Sequence, residues 1–406
     1  MAAKIVRQPN QIVLLGAPSS AAAMSQGHER APQALRAAGL VERLSSAGYQ
    51  VHDLGDDSPA LFAPDNESPR ARNIPRILKA LDQLKPRVEQ AVKSGALPLV
   101  LAGDCTMALA LIAGMRRYFR SVSLIYFDSD ADFNVPATSP SGCVDGMVVS
   151  HLTGRGAAEL VRFWGEPPLV REPDLALFGV HRLDPPEAEL LSRSPLRRYL
   201  ASDVQRMGPA AAAKEAIDRV HGQRNEFALH FDVDVISGFR ATNYAGEGGL
   251  SLDDIREALQ VFVREPHLAA IEVAAYNPEL DPDGSGARTI VDLLTSLLES
   301  RLTALAAAAP PPVSAQAATT TPAEPATEPP PPLPAAPVPP PAPTTEVAPG
   351  EPGSSEALEE VLPQQTSPTD MPGKAVPSQQ SPAEHPDHSD AASEPPNPEP
   401  SSETEP

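Results

Sequence analysis

The sequence predicts a three-layer α/β/α protein built on a mainly parallel sheet, followed by a long tail of different composition. Three observations lead to this prediction. Short apolar runs alternate with amphipathic stretches from residue 11 to about residue 308, a pattern typical of alternating strands and helices. Polar residues follow three of the apolar runs directly. Of the 49 prolines, 28 lie in residues 310–406, which contain no Phe, Trp or Tyr.

The apolar runs, taken in chain order, predict the strands of the sheet. Each is four to six residues long, which suits a buried strand better than a helix. The strands are Ile12–Gly16, Val51–Leu54, Pro98–Ala102, Val122–Phe127, Leu175–Gly179, Phe227–Phe231 and Ala269–Ala274. Apolar residues at helical spacing between them predict six helices, Pro32–Ala47, Pro75–Ser94, Thr106–Arg117, Ala210–His221, Leu252–Arg264 and Arg288–Ala307. Helical crossovers between strands favour parallel neighbours.

Composition divides the chain into a folded domain, residues 1–308, and a Pro/Ala/Glu-rich tail, residues 309–406. The tail carries fifteen acidic residues and one basic residue, Lys374, and therefore contributes −14 to the net charge of −21. So few large apolar groups cannot offset the entropy cost of ordering, and we expect the tail to be disordered. Its proline runs favour a solvated appendage, with docking to a proline-recognising partner as the alternative.

The tail should be dispensable for folding. A protein that ends near Ala308 is expected to keep the melting temperature of the full chain, because residues 310–406 offer no aromatic side chain to a core. Differential scanning calorimetry of both proteins tests this. A fall of several degrees on truncation would show that the tail packs against the domain.

Charge and cysteine content limit the classes of partner and compartment. The chain has no basic block, which argues against nucleic-acid and anionic-membrane partners. No apolar run is long enough to span a bilayer. The two cysteines, Cys105 and Cys143, are too few for a disulfide framework, and they fit a reducing, cytoplasmic location.

The polar residues that follow three predicted strands indicate a metal site. Gly103-Asp104-Cys105 follows one strand, the run Asp128 to Asn134 follows another, and Asp232-Val233-Asp234 follows a third. The carboxyl ends of parallel strands meet at one edge of the sheet, so these side chains should converge. A single Asp-x-Asp is often only a turn and helix cap. Several crowded carboxylates, however, need cations, and oxygen ligands suit Mn²⁺, Mg²⁺ or Ca²⁺ better than Zn²⁺.

The motifs of residues 10–305, in this order, resemble those of the ureohydrolase family of arginase, agmatinase and formimidoglutamase. They are GAPSS, LAGDCT, FDSDADFN, SPSGCVDGM, GVHRLDPPE, HFDVDV and EVAAYNPELD. The resemblance implies an α/β fold and two manganese ions per chain. It also implies that a metal-bridging hydroxide hydrolyses a C–N bond of a guanidino or amidine compound.

Roles for individual residues follow from the resemblance. Asp128 and Asp232 match the bridging metal ligands, and Asp234 matches a ligand of the second ion. Asp132 matches a ligand of the first ion that also orients the hydroxide. Cys105 and Asp130 stand at the two remaining ligand positions, where the family usually has histidines. The positions that hold the far end of an amino-acid substrate are matched by Asn134, Ser141 and Asp184.

Two further departures from the family pattern concern catalysis. Asp145 stands where the family has a proton-shuttling histidine, and we take Asp145 as the candidate proton relay. Ala275 stands where the family has a glutamate that grips the guanidinium group. His151, His181 and His230 lie near the motifs and are alternative proton relays, although each is more often a structural histidine.

The sequence therefore favours a binuclear manganese hydrolase that acts on a small cationic guanidino or amidine substrate, with Asp132 and Asp145 as its catalytic residues. A non-catalytic or repurposed metal-binding protein of the same fold is the main alternative, and Ala275 and Asp145 motivate it. A phosphotransferase that uses Asp-x-Asp as nucleophile and acid is a third. Homo-oligomer formation stays open at this stage.

Overall fold

The structure is a computed structural model that describes residues 5–220 and 226–308. The tail predicted for residues 309–406 lies outside the described residues, as does His221 at the end of a predicted helix. The disorder of the tail, its proline-recognising partner and the domain division at residue 308 therefore stay predictions.

Eight strands of the described residues form one parallel sheet in the order β2-β1-β3-β8-β7-β4-β5-β6. The strands are β1 Gln11–Ala17, β2 Gln50–Asp56, β3 Leu97–Ala102, β4 Val122–Phe127, β5 Leu175–Val180, β6 Arg197–Leu200, β7 Glu226–Asp232 and β8 Leu268–Ala274. Strands β3, β4, β5 and β8 are buried along their whole length, which explains their near-continuous apolar sequences.

Eleven α-helices of the described residues cover the two faces of the sheet. They are α1 Ala31–Ala37, α2 Leu40–Ser46, α3 Ile74–Ser94, α4 Met107–Arg116, α5 Val148–Leu152, α6 Ala158–Val161, α7 Pro185–Ser192, α8 Ala201–Met207, α9 Pro209–Val220, α10 Leu252–Arg264 and α11 Ser285–Ala308. One apolar core packs α1, α2 and α8–α11 against the sheet, and a second packs α3–α6 against it. The predicted three-layer fold is confirmed. No helix within these residues combines the length and hydropathy that a membrane span requires.

The structure differs from the sequence-based elements in three places. The predicted helix Pro32–Ala47 is two helices, α1 and α2, because Gly39 between them adopts a left-handed φ of 87°. Strand β6 was not predicted, since its sequence RRYL begins with two exposed arginines at the edge of the sheet. The short helices α5 to α8 were not predicted either, because they are too short to show a periodic pattern.

The register of the central strands determines which residues meet at the carboxyl edge. Phe127 at the end of β4 pairs with Phe231 of β7, and Asp232 of β7 pairs with Ala274 of β8. Asp128, which follows Phe127, therefore lies level with Asp232 on the neighbouring strand. The sheet thus brings together segments that are about a hundred residues apart in the sequence.

Candidate metal centre

The carboxyl ends of β3, β4 and β7 line one pocket of about 620 Å³. The loop after β3 reaches this pocket by passing very close to the loop after β1. A Cβ on Gly103 would lie 1.9 Å from the carbonyl oxygen of Ser19, so only glycine fits there. Buried Asp104 fastens the two loops, because its Oδ2 accepts hydrogen bonds from the Ser19 hydroxyl (2.5 Å) and the Ala22 amide (3.2 Å). These contacts place Cys105 in the pocket and give Asp104 a structural role.

One group of potential metal ligands consists of Cys105, Asp128, His230 and Asp232. All four side chains are buried, and one donor atom from each lies within 4.8 Å of the others. The Cys105 thiol donates a hydrogen bond to Asp232 Oδ2 (2.9 Å). The Nε2 atom of His230 lies 4.0 Å from Asp128 Oδ2.

A second group, Asp128, Asp130 and Asp234, shares Asp128 with the first group. Both Asp-x-Asp segments are also local turns, because Asp130 N–H donates to Asp128 Oδ1 (2.8 Å) and Asp234 N–H donates to Asp232 Oδ1 (2.7 Å). The other carboxylate oxygens remain for other partners. Asp234 Oδ1 is buried and has no hydrogen-bond partner among the described residues, so this carboxylate oxygen is available to a cation.

Arg182 places a guanidinium group against the second group. Its Nη2 donates to Asp130 Oδ2 and Asp234 Oδ2, both at 2.5 Å, and its Nε donates to Asp130 Oδ1 at 3.1 Å. Its Nη1 donates to the carbonyl oxygen of Tyr244. Burial alone would lower the pKa of Arg182, but the bonds and charges of Asp130 and Asp234 raise it. The Arg182 side chain therefore stays positively charged.

Burial raises the pKa values of the acidic side chains of the centre. Burial and the neighbouring aspartates raise the pKa values of Asp128 and Asp232 well above the ordinary range. Burial and the charges of Asp145 and Asp232 raise the pKa of the Cys105 thiol in the same way. A divalent cation bound by these groups would therefore release protons from them.

The two predicted catalytic aspartates line the same pocket, and both accept hydrogen bonds from tyrosines. Asp132 Oδ2 accepts from the Tyr126 hydroxyl, and Asp132 adopts a left-handed φ of 48°. Asp132 belongs to neither group of potential ligands, so its role as a metal ligand stays a prediction. Asp145 accepts from the Cys105 amide and the Tyr244 hydroxyl, both at 2.8 Å. Burial raises the pKa of Asp145 to about 7.

The predicted substrate-binding residues Asn134, Ser141 and Asp184 also line this pocket. Asn134 Nδ2 donates to Asp184 Oδ2 (3.2 Å), while Asn134 Oδ1 is buried without a partner. Sequence reasoning missed Glu187, whose Oε1 accepts from the Phe133 amide (2.7 Å) and whose pKa burial raises to about 7. The sequence contains one indication of its position, because an acidic residue three places after Asp184, at the start of a helix, is typical of a helix cap.

The three histidines considered as proton relays have different surroundings. His151 is structural, because its Nδ1 lies 2.7 Å from the Met147 carbonyl oxygen and its Nε2 accepts from the Ala157 amide (3.1 Å). His181 lines the pocket and its Nε2 lies 3.0 Å from the Glu247 carbonyl oxygen. His230 has a buried ring nitrogen, Nε2, that makes no hydrogen bond to any described residue.

The metal-free protein should lose stability as the pH rises from about 4 to about 7. Asp145 and Glu187 have folded-state pKa values of about 7, well above their ordinary values, and burial also raises the pKa values of Asp128, Asp132 and Asp232. These carboxyl groups outnumber the buried His28, His151 and His230, whose lowered pKa values act in the opposite direction. The folded protein should therefore bind more protons than the unfolded chain in this range. We expect the melting temperature after chelation to fall by roughly 5 °C between about pH 5 and about pH 7.5. Glu187→Gln should flatten part of the slope, and a melting temperature that rises with pH would contradict the prediction.

Comparison with known proteins identifies relatives over nearly the whole described region. The sequence model of the arginase family matches residues 10–299. The arginase of Brevibacillus brevis is 29% identical over 291 residues, which are 71% of this chain and 98% of that protein. The arginase of Bacillus caldovelox is 28% identical over 295 residues, which are 72% of this chain and 99% of that protein.

Solved structures give the same result for the fold. The crystal structure of arginase from Bacillus cereus matches with a TM-score of 0.66 and 28% identity, over 71% of this chain and 98% of that one. The formimidoylglutamase of Bacillus subtilis matches with a TM-score of 0.58 over 73% of this chain and 88% of that one. At 19% identity, this second likeness is one of fold.

Proposed function

The chain belongs to the arginase family, and we propose that it is a metal-dependent hydrolase that cleaves an amidino C–N bond of a small cationic guanidino or amidine compound. The observation that carries the proposal is the pair of Asp-x-Asp segments after β4 and β7, which form two groups of potential metal ligands around Asp128. The acidic pocket that they line supports a cationic substrate.

The residues of the centre fit divalent cations, because Asp234 Oδ1 and His230 Nε2 are buried atoms without partners beside the carboxylates. We propose two ions per chain, with manganese as the metal that the family resemblance implies. Cys105, Asp128 and Asp232 would hold one ion, with Asp132 as a further ligand, and Asp128, Asp130 and Asp234 would hold the other. When bound, such ions supply Lewis acidity and lower the pKa of water.

Arg182 makes the two positions unequal. Its guanidinium contacts Asp130 and Asp234, which the second ion needs as ligands. The side chain must withdraw before that ion binds. Within residues 5–220 and 226–308, no Lys or Arg forms a salt bridge with Cys105 or Asp232 of the first group. The basic side chain beside this group is His230, whose Nε2 lies 4.0 Å from Asp128 Oδ2.

Asp145 is our proposal for the residue that moves protons during the reaction. A carboxyl whose pKa is about 7 can both donate and accept a proton near neutral pH. The Cys105 amide and the Tyr244 hydroxyl hold both of its oxygens in place. In this proposal Asp145 delivers the proton that the leaving amine requires.

The far end of the substrate would be held by Asn134, Ser141 and Asp184. Asp184 offers a carboxylate to an α-amino group, and the unpartnered Asn134 Oδ1 offers a second acceptor. Glu187 also lines the pocket. These residues favour an amidine that also carries a polar, amino-acid-like end.

The experiment that tests the function is a substrate panel. The full chain, loaded with Mn²⁺ or Zn²⁺, is incubated with guanidino and amidine compounds, and released urea and ammonia are measured. We expect at least one compound to be hydrolysed only by the metal-loaded protein, and Asp128→Asn to abolish that release. The matched control is Asp218→Asn on the surface of α9, which should not change it. Failure of every compound with the metal-loaded protein would overturn the proposal.

A non-catalytic metal-binding protein is the second candidate, favoured by Ala275 at the position of the guanidinium grip and by Arg182 beside Asp130. It predicts bound metal without turnover of any amidine in the same panel. The phosphotransferase alternative has no support from the family match. We retain a cytoplasmic location as a proposal, because Cys105 and Cys143 are both free and buried.

A further inference from the structure

A row of three buried side chains crosses β4, β7 and β8 next to the metal centre. The register pairs Tyr126 with His230 and His230 with Glu272. The rings of Tyr126 and His230 stack at 4.1 Å between centroids and 9° between planes. His230 Nδ1 lies 2.9 Å from Glu272 Oε2. None of the three side chains is exposed to solvent, so the imidazole is fixed in position and orientation.

The other ring nitrogen of His230 faces the acidic cluster without a partner. Nε2 is buried, has no hydrogen-bond partner and lies 4.0 Å from Asp128 Oδ2. Its donor atom lies within 4.8 Å of those of Cys105, Asp128 and Asp232. A ring nitrogen in this position can bind a metal ion when it carries no proton.

We propose that His230 binds a metal ion through Nε2, and that Cys105, Asp128, His230 and Asp232 together form a site for Zn²⁺ or a similarly borderline-soft divalent ion. The inference rests on the proposed metal dependence of the function, and it assigns His230, in place of Asp132, as the fourth ligand of the first ion. A four-coordinate Zn²⁺ ion with metal–ligand bonds of about 2.0–2.3 Å holds its ligand atoms about 3.3–3.8 Å from one another. The present separations of 2.9 Å (Cys105 Sγ to Asp232 Oδ2) and 4.0 Å need only small shifts.

The donor set decides the class of metal. One thiolate, one imidazole and two carboxylates suit Zn²⁺, whereas Mn²⁺ prefers a set composed mainly of oxygen. The three carboxylates of the second group remain the position for manganese. The two positions of this chain would thus differ in metal preference.

In this arrangement His230 supplies the imidazole ligand that Cys105 does not. The chain has a thiol where the resemblance predicts an imidazole, and it carries an imidazole on β7 beside the same aspartates. An ion on Nε2 leaves the ring proton on Nδ1, where it donates to Glu272. A carboxylate that orients a metal-bound histidine in this way is a common feature of metal sites. Glu272 is therefore a positioning residue for His230.

X-ray absorption spectroscopy of the full chain with one equivalent of Zn²⁺ tests the proposal independently of turnover. The wild-type spectrum should show one sulfur neighbour at about 2.3 Å and the scattering of one imidazole. His230→Asn should remove the imidazole signal and keep the sulfur signal. The asparagine amide can still contact Glu272, so the variant removes the ligand atom with little other change. Cys105→Ser should remove the sulfur signal and keep the imidazole signal. His151→Asn is the matched buried-histidine control and should keep both signals.

The affinities provide a second measurement. In competition with a chromophoric chelator, His230→Asn should weaken Zn²⁺ binding by roughly a hundredfold, and Glu272→Gln by about tenfold or more. Zn²⁺ should also displace one equivalent of Mn²⁺ from the loaded wild-type protein.

A wild-type spectrum without imidazole, or an imidazole signal that persists in His230→Asn, would overturn the proposal. If His230→Asn fails to fold, the wild-type spectrum and the affinity of Glu272→Gln still decide. An imidazole-bound ion in a protein that hydrolyses no amidine would overturn the proposed function and leave this inference intact.

Discussion

Asp128→Asn is expected to remove both metal ions and to weaken divalent-ion binding by at least about a hundredfold, or roughly 2.7 kcal/mol. Asp128 belongs to both groups of potential ligands. It is buried, and its negative charge would help to neutralise the bound cations. An amide keeps the size of the side chain and its acceptor for the Asp130 amide, but it lacks the charge. Metal content by mass spectrometry after reconstitution and dialysis is the measurement.

Asp130→Asn is the matched control for that variant. Asp130 belongs only to the second group, so its amide variant should keep the ion held near Cys105 and lose the other. Asp232 belongs only to the first group, although the resemblance expects it to bridge. Asp232→Asn therefore distinguishes the two assignments by the number of ions lost. Retention of one equivalent at wild-type affinity by Asp128→Asn would contradict the shared role of Asp128.

Arginine is expected to be turned over at least about a hundredfold more slowly than the best amidine of the panel. The family resemblance aligns the guanidinium-gripping glutamate with Ala275, which is buried and is not among the residues that line the pocket. Its amide donates to the Gly103 carbonyl oxygen (2.9 Å), and its methyl group accepts no hydrogen bond. Loss of a charge-assisted pair costs about 3 kcal/mol, which is roughly a hundredfold in rate.

Urea release from arginine between about pH 7 and pH 10 measures this effect. Asp184→Asn supplies a control at the other end of the pocket. It should raise KM for amidines that carry an α-amino group and leave KM unchanged for those without one. Turnover of arginine at hundreds per second would show that another residue supplies the grip, and that Ala275 does not limit specificity.

The sequence predicted the sheet well because its central strands are buried on both faces. Runs such as Val122–Phe127 need no tertiary information to be recognised as strands, and the structure reproduces that segment without change. The edge strand β6 could not be predicted, because Arg197 and Arg198 face solvent there. The break between α1 and α2 depends on the conformation of Gly39, which the apolar spacing around it does not reveal.

The aspartates of the site were predictable because they directly follow the strands that carry them. Arg182 and Glu272 were not, since their importance depends on pairings across the sheet. Arg182 meets Asp130 through a loop after β5, and Glu272 meets His230 through the register of β8 with β7. His230 was considered from the sequence as a proton relay. Its unpartnered Nε2 beside Asp128 is visible only in three dimensions.

In the proposed centre, a metal ion would enter the second position only by displacing the Arg182 guanidinium, so that one cation would be exchanged for another. A side chain tethered beside Asp130 and Asp234 is present at an effective concentration that a free ion at micromolar levels does not approach. The two equivalents of metal should therefore load in order, first at Cys105 and later at Asp130. At low metal supply the population would consist of half-loaded molecules, in which the protein's own guanidinium completes the charge balance.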